Sequence, residues 1–317
     1  MSDLSSAIPP RPVADEKGVR LEAVSFGMAC AALCVAWVLV ALYVVPEYRS
    51  YSPDGTLKWI QTKNLRFEHG LRTSVHYGGR IFDPSLRAVP IGQSFFVVKH
   101  GEIELVWPPW FALLSWPFEA WLGAHGMRIV PALSAAACAV VTALFTASIA
   151  GRRTRLAALL ASALATPLFI YAVLIWEHTL CALLVVLGVA LWIGSLSDAA
   201  AKHSVFAGLL LAFASAMRAE TLLVCGALAV VGMFAGERER RVTLQLGVAL
   251  MLGLVPFGAW NSWHMGVLLP ANAAFNFTHP TLDYLSRAGF RILPEFSWGT
   301  SDAFACDEPS ASVAFAS

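Results

Sequence analysis

Residues 105–124 read LVWPPWFALLSWPFEAWLGA, and whether this stretch crosses a bilayer decides the topology of everything after it. It is apolar and long enough to span about 30 Å of hydrocarbon as a helix. Yet Pro108, Pro109 and Pro117 each lack a backbone donor, and Glu119 adds a charge. Trp107, Trp110, Trp116 and Trp121 are residues of a membrane–water boundary. The stretch therefore suits a pair of interfacial helices better than a straight span.

Working outward, apolar runs of spanning character lie at 23–46, 128–150, 155–176, 178–197, 203–217, 219–236 and 242–263. Short basic clusters punctuate them: Arg11, Lys17 and Arg20; Arg152, Arg153 and Arg155; Lys202 with His203; and Arg238, Arg240 and Arg241. Lys and Arg in short loops stay cytoplasmic, and all four clusters fall inside only if 105–124 does not cross. The sequence thus predicts an all-α polytopic membrane protein of about seven transmembrane helices, with a large external first loop containing interfacial helices. Residues 1–22 form a cytoplasmic tail, 23–263 the membrane module with its external loop at 47–127, and 264–317 an external C-terminal segment.

Composition agrees. Of 317 residues 57% are hydrophobic and only 14% charged, and the mean hydropathy of +0.64 exceeds what one soluble core can bury. A net charge of +1 leaves no basic footprint for nucleic acid. Cys30, Cys34, Cys138, Cys181 and Cys225 sit in apolar stretches as small hydrophobes, and Cys306 has no partner in a soluble segment, so no disulfide framework is expected. The first apolar run is too long for a cleaved signal peptide.

Four polar features fall on the external side of this topology. Pro53-Asp54-Gly55, just beyond the first span, is a turn signal, and Ser52 or Asp54 capping an amphipathic helix over Leu57–Leu65 accounts for it without chemistry. Lys99-His100-Gly101-Glu102-Ile103-Glu104 leads into the Pro-Pro segment and reads equally as a solvated loop or a lipid headgroup site; a His100/Glu104 cation site is a further reading that no ligand spacing strongly supports. Glu177-His178 lies between two apolar runs, as a hydrated turn or as ionisable groups with a function. Arg218 and Glu220 interrupt an otherwise continuous apolar run, either as a structural salt bridge or as a site, since burying them unpaired costs several kcal/mol.

In order and sidedness this layout resembles the GT-C superfamily of membrane glycosyltransferases, particularly bacterial relatives of protein O-mannosyltransferases and the aminoarabinose transferase of lipid A. The matching positions are Asp54 after the first span, Glu104 with Pro108-Pro109, Arg152-Arg153, Glu177, and Arg218-Ala219-Glu220. The chain departs from the family in having Asp-Gly where Asp-Glu is common. Val106-Trp107 also stand where a Lys commonly precedes Pro-Pro, with Lys99 the nearest upstream. It is also shorter than most members, which predicts a minimal or truncated module.

The resemblance implies an inverting transfer of a sugar from a polyprenyl-phosphate donor to a hydroxyl of a lipid, glycan or protein, at the outer face of a bacterial inner membrane. It implies Asp54 and Glu177 as catalytic, Arg218 and Lys99 as binders of the donor phosphate, and Glu220 and His178 as orienting residues. Glu104 and His100 would hold a divalent metal ion, the one cofactor expected. A non-catalytic membrane subunit or scaffold of glycan assembly is the rival reading. A transporter or flippase fits less well, because no inverted repeat of broken helices is visible.

Overall fold

The computed structural model describes residues 16–46, 53–67, 70–86, 89, 91, 95–99, 101–197, 201–266 and 268. His100, most of the N-terminal tail and nearly all of the expected C-terminal segment, Cys306 included, lie outside the described residues.

The chain is mostly helical, and among the described residues four apolar stretches are long enough to cross a membrane: Glu22–Val44, Trp110–Ala150, His178–Leu196 and Glu237–Met265. Helix α1 (Glu16–Leu39) widens into a π-turn at Val40–Val44. After it come α2 (Pro53–Lys63) and the antiparallel hairpin β1 (Phe96–Lys99) and β2 (Glu102–Leu105), paired Phe96 to Leu105 and Lys99 to Glu102. The hairpin departs from a purely helical reading. Its turn uses Gly101 at φ +76°, a conformation that costs glycine little.

Helix α3 (Trp110–Leu122) occupies the stretch quoted at the outset. It runs for about 20 Å and does not continue straight into α4 (Ile129–Ala150). Gly123 takes φ +63°, and a Cβ added at Gly126 would lie 1.9 Å from the Phe118 carbonyl oxygen. In an unbroken helix those residues would stand about 12 Å apart, so the chain folds back between α3 and α4.

The run 155–176, expected as one span, is broken instead. Helix α5 (Arg155–Leu164) stops before Pro167, and a single turn, α6 (Leu168–Tyr171), follows. Proline biases the residue before it away from helix, and Thr166 serves both sides of the break. Its hydroxyl donates to the Ser162 carbonyl at 2.7 Å and accepts from the Leu168 amide at 3.2 Å.

Helices α7 (His178–Ser197), α8 (Ala201–Met217), α9 (Thr221–Met233) and α10 (Glu237–Met265) complete the bundle. Small residues set the packing, as expected where lipid supplies no hydrophobic drive between helices. Ala132, Ala135, Ala136, Ala139 and Ala143 form a fully buried stripe on α4 against Trp37 and Ala41. On α8, a Cβ at Gly208 would meet the Leu246 carbonyl oxygen at 2.5 Å, which holds α8 close to α10. Leu244, Val248, Met251, Leu252 and Val255 of α10 remain exposed, a surface suited to acyl chains rather than water.

Contacts sort the turns to two ends. At one, the Arg155 guanidinium lies over Phe26, the Ser204 hydroxyl donates to the Val242 carbonyl, and Trp192 donates to Thr243. This end gathers the basic turns at Arg152–Arg155, Lys202 and Arg238–Arg241. At the other end Arg128, 1% exposed, donates to the carbonyls of Val45 and Pro46 and caps the first helix. The polar site lies at this second end.

Candidate functional site

Helix α2 is amphipathic and packs against α3 at the polar end of the bundle. Leu57 packs into an apolar cluster with Phe96, Ile103 and Leu105 of the hairpin. Two bonds tie α2 to the aromatic, proline-rich segment: the Trp59 indole N–H donates to Glu119 at 3.1 Å, and the Gln61 amide donates to the Trp107 carbonyl at 2.9 Å.

This placement drives Lys58, 3% exposed, into an ion pair with Glu177, 5% exposed, at the start of α7. The rings of Trp107 and Phe111 lie 6.0 and 5.9 Å from the ammonium, adding cation–π attraction. Arg218, just beyond α8, reaches the other Glu177 oxygen at 3.3 Å and Glu220 at 2.7 Å. Burial pushes the Glu177 carboxyl up, but the Lys58 and Arg218 cations outweigh it and hold the group below the usual carboxylate range.

His178 joins the cluster with its ring stacked on Trp176 and Tyr171, centroids 4.7 and 4.8 Å away. Its Nδ1 faces Arg218 Nη1 at 3.4 Å. A guanidinium only donates, so Nδ1 accepts and the imidazole proton sits on Nε2. His178 and Thr179 also line a largely apolar cleft of about 380 Å³ that runs past Tyr171, Thr166 and Ser162 to Thr142. The break between α5 and α6 opens this cleft.

Asp54 stands in the first turn of α2, half-buried. It lies four residues before Lys58 and so on the same helix face, at a spacing that puts Cβ atoms about 5–6 Å apart. Among the described residues its carboxylate has no hydrogen bond or ion pair. Of the sequence candidates, then, Glu177, His178, Arg218 and Glu220 meet directly, and Asp54 sits one helical turn from their Lys58 partner.

Lys99 and Glu104 are engaged elsewhere. The Lys99 ammonium donates to the carbonyls of Trp263 and His264 at 2.8 and 2.6 Å, capping the C-terminal end of α10. Glu104 accepts from the Thr73 hydroxyl at 2.8 Å. Burial raises its carboxyl above the usual range, with neighbouring Glu102 adding to the rise, against the Thr73 bond and Lys99. Among the described residues no group of three His, Cys, Asp or Glu could hold a metal ion.

The residue that sequence reasoning passed over is Lys58, whose position four residues after Asp54 was the available signal. Arg128 was also read only as the edge of a span. Comparison with protein-family models, with curated proteins and with solved structures finds no match to this chain.

Proposed function

We propose that the chain is a membrane glycosyltransferase that moves a sugar from a polyprenyl-phosphate donor to an acceptor hydroxyl, with inversion. In this reading α5 with α6, α8 and α9 complete seven crossings, and the basic turns face the cytoplasm, which leaves the Glu177 cluster external. The observation that carries the proposal is Asp54, a carboxylate unpaired among the described residues, one turn from a buried cation held by Glu177.

Asp54 takes the proton from the acceptor hydroxyl as its oxygen attacks the anomeric carbon. The bond from that carbon to the donor phosphate oxygen breaks, and the lipid phosphate departs with the electron pair. Arg218, with 28% of its side chain exposed and already fixed by two carboxylates, meets the charge that develops there. Glu177 is a positioning residue, since its oxygens are taken up by Lys58 and Arg218. Glu220 and His178 fix the guanidinium from either side. The cleft below His178 would receive the first isoprene units of the donor. Lys99 keeps one ammonium proton beyond the two it gives to α10, and Glu104 with Thr73 enters no step.

The test is transfer from a labelled polyprenyl-phosphate sugar by the purified full chain in lipid. Asp54→Asn should lower the rate about 10²–10⁴-fold with thermal stability unchanged. If the wild-type chain transfers from no lipid-linked donor, the proposal fails.

A further inference from the structure

The external loop carries a feature that glycosyl transfer does not use. In the turn Gly78–Phe82, Ile81 is 86% and Phe82 91% exposed, adjacent large apolar side chains at the tip of a polar loop. Exposed to water, such a pair has no local reason to be apolar. The turn is also fixed in place. Arg80 donates to the Gly101 carbonyl at 2.6 Å in the hairpin turn, and Lys99, beside that turn, donates to the Trp263 and His264 carbonyls at the end of α10. Trp263 is 76% exposed, and with Trp260 it marks an aromatic band at the end of an otherwise lipid-facing helix. The tip is thereby tied, through three charge-assisted bonds from two cations, to the place where α10 leaves the hydrocarbon.

Behind the tip lies a cleft of about 220 Å³, lined among others by Arg66, His76, Tyr77, Arg80 and Glu102. The Arg66 backbone pairs with Arg72, and among the described residues its guanidinium has no partner. Two guanidiniums against one carboxylate make the cleft electropositive.

The geometry points to a membrane-docking site: Ile81 and Phe82 insert at the bilayer surface, and Arg66 and Arg80 bind the phosphate of an anionic phospholipid headgroup. Apolar tip, aromatic band and basic cleft match the three layers of an anionic interface, namely acyl chain, carbonyl region and phosphate. The docked turn would hold the hairpin, and with it the Trp107 segment beneath Lys58, at fixed height over the bilayer. The inference rests on the membrane placement of α10 and not on the transfer chemistry.

The experiment uses the full chain with Phe82→Cys carrying an environment-sensitive nitrobenzoxadiazole label, in nanodiscs of phosphatidylcholine with or without phosphatidylglycerol. Wild-type chain taken through the same labelling gives the background from its own cysteines. Lipids bearing a nitroxide just below the headgroup should quench the label, more strongly when phosphatidylglycerol is present. Arg66→Gln leaves the Arg80–Gly101 bond in place and should lower the phosphatidylglycerol-dependent insertion equilibrium about fivefold, as should Arg80→Gln. Absence of quenching would place the tip in water or against another protein and overturn the proposal. Equal quenching with and without phosphatidylglycerol would overturn the headgroup assignment. Competition by inorganic phosphate at constant ionic strength would show a site for free phosphate and not for lipid, and would also overturn it.

Discussion

Removing the Lys58 ammonium is the sharpest perturbation of this molecule, because Glu177 has two cations among the described residues and they are unequal. Lys58 is 3% exposed and Arg218 28%, so water screens the second contact and not the first. At 3.3 Å and an effective dielectric constant of about 20, the Arg218–Glu177 attraction is roughly 5 kcal/mol before desolvation. Solvent at the guanidinium and its shared bond to Glu220 reduce that to about 1 kcal/mol net. Lys58→Met therefore leaves a buried carboxylate with one screened partner and should cost about 3–5 kcal/mol. Glu177→Gln strands the buried ammonium and should cost a similar amount, whereas Arg218→Gln should cost about 1 kcal/mol. In thermal unfolding followed by tryptophan fluorescence, the first two should lower Tm by roughly 6–20 °C and the third by roughly 2–4 °C. The double change Lys58→Met with Glu177→Leu removes both charges and should recover most of the loss, giving a large coupling energy in the cycle. Single changes that each cost under about 0.5 kcal/mol, or an additive double change, would refute the buried pair.

Two further outcomes follow from other parts of the structure. The Glu104 carboxyl is raised above its unfolded value, so its contribution to stability is full below the unfolded pKa and is lost as pH rises through the folded one. Glu104→Gln keeps an acceptor for Thr73 and should raise stability at pH 7 by up to about 1 kcal/mol, with the gain vanishing near pH 4. Thermal unfolding at the two pH values reads this, and a loss at pH 7 would contradict it. For orientation, the proposed topology puts the basic turn in the cytoplasm, so alkaline phosphatase fused after Arg155 should be inactive and a green fluorescent protein fused there bright. An active phosphatase would invert the bundle and place the Glu177 cluster inside.

Much of the bundle could be read from composition, since α1, α4, α7 and α10 announce themselves by length and hydropathy alone. Prolines mark two of the breaks: Pro108 and Pro109 precede α3, which folds back against α4, and Pro167 stands where the run read as one span is interrupted. What stayed hidden was non-local. Lys58 looks like any lysine on an amphipathic helix, and its burial depends on Glu177, 119 residues away. Arg128 looks like a loop cation, yet it turns inward because Val45 and Pro46 present carbonyls that no helix continues to satisfy. The hairpin escaped notice because Phe96–Lys99 and Glu102–Leu105 are four residues each, too short for alternation to stand out. The convergence of Glu177, Arg218 and Glu220 was legible, because counting spans with the basic turns on one side puts those turns at the same end.

The buried pair bears on placement more than on stability. Contacts among alanine and leucine side chains, such as the Ala132–Ala143 stripe, change little when a helix slides, and so specify register weakly. An ion pair between Lys58 of α2 and Glu177 at the start of α7 admits one arrangement, because any slip leaves two buried charges apart. Fixing Lys58 fixes the face of α2 that carries Asp54, and Glu177 holds Arg218 by its other oxygen. A carboxylate and a guanidinium on separate elements are thus set by a single shared residue. The double change Lys58→Met with Glu177→Leu should then separate the two roles: a protein that melts near the wild-type temperature but has lost the register of Asp54 against Arg218. On the proposed glycosyl transfer, activity should fall in that variant by about as much as in Asp54→Asn, although that reading gives neither changed residue a contact with the reacting atoms. That outcome would show the buried pair at the end of an otherwise apolar bundle setting register more than net stability.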